Sequence, residues 1–169
     1  YKNITEFIEV SRSSIFLFIS RVLQRNDLVS FWMENPIFCH AFLKFVYEPP
    51  IRPFVLSHVK QYLLNEQTKW NSIVIDSVGD ICSFAFSRIP SEQYVLISTD
   101  MLRMIIEILQ HKTNESKTTN IFIDMIEPVF AAINMLNNDF PACGEFLIQS
   151  VHFFAAMSSQ FNVSSSHMI

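Results

Sequence analysis

Glycine is almost absent from this chain, and that scarcity limits what the chain can fold into more than any other feature. The 169 residues include two glycines, Gly79 and Gly144, against seventeen phenylalanines. Tight turns between β-strands and loops that wrap around phosphate groups both need residues that adopt positive φ angles, which glycine does at little cost. Helices joined by short polar segments need very few such residues. The composition therefore predicts an all-α fold.

Apolar residues recur at helical spacing along most of the chain. Between Ile4 and Val22, seven apolar residues are separated from one another by three, four, seven or eleven positions. These separations place them on one stripe of a helix. We expect Ser91 to cap a short helix, and Ser98 or Thr99 to cap the next helix, which begins at Met101. The most polar segment, 112–119, is expected to be a mobile loop. Along the whole chain, the pattern predicts helices over residues 4–24, 26–34, 36–48, 53–64, 70–88, 101–111, 122–136 and 141–160.

Asparagine, proline and glycine mark places where these helices begin or are disturbed. Asn35 followed by Pro36 is a start signal, because asparagine accepts hydrogen bonds from free N–H groups and proline is tolerated at the first helical position. Pro128 lies within an apolar register and removes a backbone hydrogen bond, so we expect a kink or a break there. Helix 70–88 is apolar almost all round, which indicates burial. Because it contains Gly79, we expect a neighbouring helix to cross close to that residue.

Three stretches resemble one another, each with a polar break followed by an apolar helix. They cover residues 26–46, 92–110 and 138–157, and equivalent positions are 64 and 44 residues apart. The second spacing matches the length of armadillo and HEAT units, about 40–47 residues. The pattern predicts an armadillo/HEAT-like α-solenoid segment of about three irregular repeats, with an irregular helical bundle as the alternative. The aligned columns are Phe38, Leu102 and Phe146; Phe42, Ile106 and Ser150; and Phe45, Leu109 and Phe153.

Four residues lie at the middle of their apolar stripes and are predicted to be core residues. They are Phe42, Ile81, Ile106 and Phe130, and truncation of any of them to alanine is expected to cost about 3–5 kcal/mol. We expect residues 1–169 to form a single helical-repeat domain that is a fragment of a longer chain, with a frayed tail at 162–169.

One run carries a resemblance to a known family. Residues 42–59 read Phe-Leu-Lys-Phe-Val-Tyr-Glu-Pro-Pro-Ile-Arg-Pro-Phe-Val-Leu-Ser-His-Val, and this run resembles the helical-repeat regions of the large BEACH-domain trafficking scaffolds. It covers roughly a tenth of the chain, and no BEACH domain accompanies it in this sequence. The resemblance implies a segment of a large cytoplasmic scaffold that works near membranes.

Charge and apolarity exclude several classes of partner. The net charge is −4, and residues 1–69 carry eight basic and six acidic side chains, whereas residues 70–169 carry four and ten. Neither part has a basic cluster dense enough to follow a phosphate backbone, so nucleic acid is not an expected partner. No window of about 20 residues is apolar enough to be a transmembrane segment. We expect a cytoplasmic protein in which Cys39, Cys82 and Cys143 are small buried hydrophobes.

Few residues suggest chemistry, and we expect no enzyme, no cofactor and no metal. Cys39 and His40 are adjacent, so their side chains diverge on a helix and cannot form a nucleophile–base pair with each other. Metal-ligand spacings such as Cys-x-x-Cys and His-Glu-x-x-His do not occur. Asp76 and Asp80 share one helix face, and with Asp124 they could support acid–base work or bind a cation. We favour an acidic, solvated strip that faces a groove.

The sequence therefore predicts a non-catalytic protein–protein interaction module or scaffold segment. One helix of each repeat lines the inner face of a solenoid, and residues that interrupt the apolar pattern there have no packing reason to be polar. We assign partner binding to His58, Asp76, Asp80 and Gln149, in a mildly acidic groove that receives a basic or amphipathic helix. The alternative is a helical bundle with an apolar cavity that binds a lipid or another hydrophobic ligand.

Overall fold

Helices make up all the regular structure in the part of the chain that the computed structural model describes. That part comprises residues 14, 17, 18 and 21, then 25–65, 72–112, 122–136 and 140–165. The all-α prediction is confirmed there. The helices are α1 (Asn26–Glu34), α2 (Pro36–Leu43), α3 (Arg52–Leu64), α4 (Ser72–Phe86), α5 (Glu92–Lys112), α6 (Ile126–Met135) and α7 (Pro141–Ser165), with 3-10 helices η1 (Lys44–Tyr47) and η2 (Ile123–Met125).

Some predicted segments fall wholly or largely outside the described residues. These are the first helix, at 4–24, and the mobile loop at 112–119. Helix α7 continues to Ser165, so it includes the first residues of the segment expected to fray, and residues 166–169 lie outside the described part. Among the described helices, none combines the length and the apolarity that crossing a bilayer requires.

The helices pack in two rows. In row A, α2 packs on α4 and α4 packs on α6, whereas in row B α3 packs on α5 and α5 packs on α7. Contacts of α4 with α5 and of α6 with α7 join the two rows. Each of these helices therefore contacts the next helix but one along the chain, and the rows enclose the apolar core between them.

The start of α2 confirms the signal at Asn35. The Asn35 Oδ1 atom accepts hydrogen bonds from the backbone N–H groups of Ile37, at 3.1 Å, and Phe38, at 3.3 Å, and Pro36 occupies the first turn. The amide oxygen thereby satisfies donors that have no partner within the helix. The α-helix changes to η1 at Lys44, so it is shorter than the helix predicted over residues 36–48.

Helix α5 corrects the prediction that a helix begins after Ser98 or Thr99. A single helix covers Glu92–Lys112, and both residues lie inside it and are buried. The Thr99 Oγ1 atom donates to the carbonyl oxygen of Val95, one turn earlier, at 2.7 Å. Because that bond satisfies the hydroxyl within a continuing helix, Thr99 does not need to end one.

Pro128 does not kink the helix in which it lies. It occupies the first turn of α6, where the N–H that proline lacks would have no helical partner. The irregularity lies earlier, at Phe122, whose φ of 65° is in the left-handed region and which leads into η2. The prediction of a kink or a break at Pro128 is therefore wrong, and the change from η2 to α6 precedes the proline.

Three of the four predicted core residues are buried, and the fourth is not. Phe42, Ile81 and Ile106 are at most 5% exposed, as predicted. Phe130 is 55% exposed, so that prediction is wrong. In α6, Val129 and Ala132 face the core, and this turns the neighbouring Phe130 outwards.

Helix α4 is buried on one side only, which corrects the prediction of burial all round. Asp76, Asp80, Ser83 and Phe84 are exposed, whereas Val74, Val78, Ile81 and Ala85 face the core. The predicted close crossing at Gly79 is also wrong, because a Cβ atom placed there would meet no atom within 4 Å. Gly79 borders an open depression.

Candidate protein-interaction surface

The four predicted partner-binding residues do not lie together. His58 is on α3 and Gln149 is on α7, both in row B, whereas Asp76 and Asp80 are on α4 in row A. The His58 Nδ1 atom lies 2.8 Å from the carbonyl oxygen of Phe54, in its own helix. Gln149 donates from Nε2 to Glu145 Oε1, at 2.8 Å. Only the two aspartates share a surface.

That surface is a depression between α4 and η2, which we call the acidic depression. It has a volume of about 330 Å³. It brings Asp124, distant in sequence, to the same surface as Asp76 and Asp80. One wall contains Gly79, which contributes no side chain. The lining residues are Ile75, Asp76, Gly79, Asp80 and Ser83 from α4, with Phe122, Asp124 and Met125.

The carboxylates of the acidic depression have no positively charged partner among the described residues. Asp76, Asp80 and Asp124 are exposed, and none of them takes part in an ion pair there. Like charges gathered at one surface produce a negative potential that attracts cations and basic side chains. Within the described ranges, no group of three His, Cys, Asp or Glu residues is arranged to hold a metal ion.

A second depression lies in row B, between α3 and α5, and we call it the α3–α5 groove. It has a volume of about 310 Å³. Its charged side chains are paired across and along the groove: Lys60 with Glu107, and Arg103 with Asp100 at 3.3 Å. Its remaining lining residues are Pro53, Leu56, Ser57 and Met104.

The Arg103–Asp100 pair belongs to a longer chain of charges that crosses row B. The buried Arg52 donates from Nε to the carbonyl oxygen of Val46, at 2.7 Å, and from Nη1 to Asp100 Oδ2, at 3.1 Å. Arg103 links Asp100 to Glu145 through a 2.7 Å contact from Nη2 to Oε1. Hydrogen bonds from Gln149 and Arg103 hold the pKa of Glu145 below its usual value. Row B therefore neutralises most of its own charge.

The cysteines are packing residues. Cys39, Cys82 and Cys143 are all buried, and none of them forms a disulfide. Burial raises the pKa of Cys39, against a smaller opposing effect of a hydrogen bond with Ser77, and burial also raises the pKa of Cys82. A thiol that keeps its proton at neutral pH is a poor nucleophile. These environments match the prediction that the cysteines are small buried hydrophobes.

The sequence prediction did not identify apolar side chains on the outer side of α6 and α7. Phe130, Ile148 and Val151 are each more than half exposed. The available signal was the near absence of charge in α7, where apolar residues occupy more positions than one buried stripe requires. Residues in excess of a stripe are candidates for contact with another molecule.

Comparisons of this chain with protein-family models, with curated proteins and with solved structures find no match. The function of this chain is therefore inferred from its surfaces. Both depressions are open and bordered by charged side chains. Neither resembles the enclosed apolar cavity that binding of a lipid inside a bundle requires.

Proposed function

We propose that this chain is a non-catalytic, helical-repeat protein-binding module whose acidic depression receives a basic, amphipathic helix. The observation that carries the proposal is that Asp76, Asp80 and Asp124 surround one depression without an ion pair among the described residues. A lysine or arginine that enters gains charge-assisted hydrogen bonds and displaces no ion-pair partner among the described residues. The open wall at Gly79 leaves room for the stem of such a side chain.

The packing of the helices supports the armadillo/HEAT-like part of the proposal. In a solenoid, equivalent helices of successive repeats lie side by side, and each repeat contacts only its neighbours. Contacts along row A and along row B follow that order. The repeat alignment also pairs residues with matching burial, since Leu102 and Phe146 are fully buried, and Ile106 and Ser150 are buried too. Phe38, in the first of the three stretches, departs from the pattern because it is 46% exposed.

The proposal extends to a cytoplasmic scaffold. The resemblance of residues 42–59 to BEACH-domain scaffolds supports a structural rather than an enzymatic role. Buried cysteines that form no disulfide are compatible with a reducing compartment. His58 and Gln149 lie on row B, so in this proposal they would serve contacts on that row and not within the acidic depression.

Charge reversal in the acidic depression tests the proposed function. The probe is a fluorescein-labelled peptide of leucine and lysine arranged as an amphipathic helix, with a shuffled peptide of the same composition as reference. Asp76→Lys/Asp80→Lys should weaken binding by about tenfold or more at low salt, and salt should reduce the difference. The melting temperature should change by no more than about 2 °C, because both side chains are exposed.

The matched control is Glu34→Lys/Glu92→Lys, which changes the net charge by the same amount at exposed positions on α1 and α5. It should retain most of the affinity for the peptide. Equal losses in both double variants would show a general charge effect and would contradict the proposal. Unfolding of Asp76→Lys/Asp80→Lys would also contradict it, because the carboxylates would then be part of the structural framework.

A further inference from the structure

The outer side of α6 and α7 is an unpartnered apolar surface. Phe130 is 55% exposed, Ile148 is 51% exposed and Val151 is 65% exposed. Exposed apolar residues that occur singly are ordinary, but a contiguous group indicates a contact surface. The ring centroid of Phe130 lies 4.7 Å from that of Phe154, which is in the same helix as Ile148 and Val151.

Four of the exposed residues of α7 form a stripe. Gly144, Ile148, Val151 and Ala155 follow one another at intervals of four, three and four residues, and all four are exposed. This stripe carries no charged side chain. It is about 16 Å long, from the helical rise per residue, so it matches about three turns of a second helix. We call Phe130 together with this stripe the α6–α7 face.

Acidic side chains border the end of the α6–α7 face nearest η2, whereas Arg103 on α5 approaches α7 at Glu145, with which it is paired. No lysine or arginine follows Lys117 in the sequence. Asp124 and Glu127 are exposed and precede Phe130 at intervals of three residues, so they lie on the same side of η2 and α6. Asp124 also lines the acidic depression. The apolar face and the acidic depression are therefore continuous through η2 and the first turn of α6.

We infer that the α6–α7 face binds the apolar side of the same partner helix whose basic residues enter the acidic depression. This inference rests on the proposed function and specifies the chemistry of the partner. The occupant is an amphipathic helix with one apolar stripe and lysine or arginine concentrated at one end. The apolar residues supply buried area, and the carboxylates fix the direction in which the helix lies.

Charge complementarity selects this occupant over other ligands. Anionic lipid surfaces and nucleic acids are recognised through lysine and arginine, and this end of the chain has none after Lys117. A second copy of the chain would bring the acidic ends of two molecules together if the same face were used twice, which like charges oppose.

The test separates the apolar contact from the acidic one. Ile148→Ser/Val151→Ser should weaken binding of the leucine–lysine peptide by about tenfold, with a salt dependence unchanged from that of the original chain. Serine has nearly the helix propensity of valine and isoleucine, so α7 should persist. The control is Phe54→Ser on α3, which removes a side chain that is 52% exposed on row B. It should leave the affinity unchanged.

Each outcome decides one of the two proposals. If Asp76→Lys/Asp80→Lys loses binding and Ile148→Ser/Val151→Ser does not, the proposed function stands and the inference about the α6–α7 face is wrong. If neither variant changes binding, both are wrong. Sedimentation velocity covers the remaining case: a dimer of the original chain that Ile148→Ser/Val151→Ser converts to monomers, with peptide binding unchanged, would assign the face to self-association and overturn the inference.

Discussion

The acidic depression and the α3–α5 groove have nearly the same volume, about 330 and 310 Å³, but they differ in whether their charged side chains are paired. In the α3–α5 groove, Lys60, Arg103 and their carboxylate partners are already paired. A partner that used those charges would have to replace existing contacts, so little would be gained. In the acidic depression the carboxylates have no such partners among the described residues. The two surfaces therefore differ in the pairing of their charges more than in their shape. Paired charges stabilise this fold, whereas unpaired charges are available for recognition.

The largest expected effect is a difference in the free energy of unfolding between two variants, Asp100→Ala in the α3–α5 groove and Asp80→Ala in the acidic depression. Removing Asp100 leaves the buried Arg52 guanidinium without its carboxylate, which should cost about 1–3 kcal/mol in the free energy of unfolding. Removing the exposed Asp80 should change it by less than about 0.5 kcal/mol. Urea denaturation of both variants measures the difference. Equal effects would remove the distinction between a paired and an unpaired surface.

A smaller effect concerns the pH dependence at the end of the charge chain in row B. The pKa of Glu145 is lowered in the folded state by hydrogen bonds from Gln149 and Arg103. A lowered folded-state pKa means that the unfolded chain binds the proton more readily, so this contribution is present above the unfolded pKa and is lost as the pH falls through the folded one. Glu145→Gln should therefore make the melting temperature less sensitive to acidification below about pH 4.5. An unchanged slope would show that the bonds do not persist in solution.

The sequence predicts where helices begin better than it predicts which residues pack against one another in the fold. Asn35 and Pro36 act on N–H groups within the next three residues, so the start of α2 follows from the sequence alone. Thr99 was mistaken for a cap because its hydroxyl can bond either to a free N–H or to the carbonyl four residues earlier, and both fit the sequence. Phe130 and Val129 are both apolar, and only the position of α4 decides which of them is buried.

The candidate site shows the same limit over longer distances. The i,i+4 spacing of Asp76 and Asp80 predicts that they share a face, and they do. That Asp124 joins them depends on how η2 packs against α4, which no local pattern encodes. The grouping of His58 and Gln149 with the aspartates failed for a related reason. Whether a helix lies in row A or in row B depends on its place in the order of helices along the chain. The sequence pattern predicted two helices where the structure has the single helix α5, so the predicted order was wrong.

A charge-swap experiment tests most directly whether the acidic depression is the surface that selects the partner. An amphipathic peptide in which glutamate replaces every lysine should not bind the original chain but should bind Asp76→Lys/Asp80→Lys, while the lysine peptide should show the reverse preference. Fluorescence anisotropy of the four combinations gives the coupling free energy between the two charge changes, which should favour the opposite-charge pairs by at least about 1.5 kcal/mol. A coupling near zero would contradict the account, because it would mean that the carboxylates on α4 do not contact the bound helix.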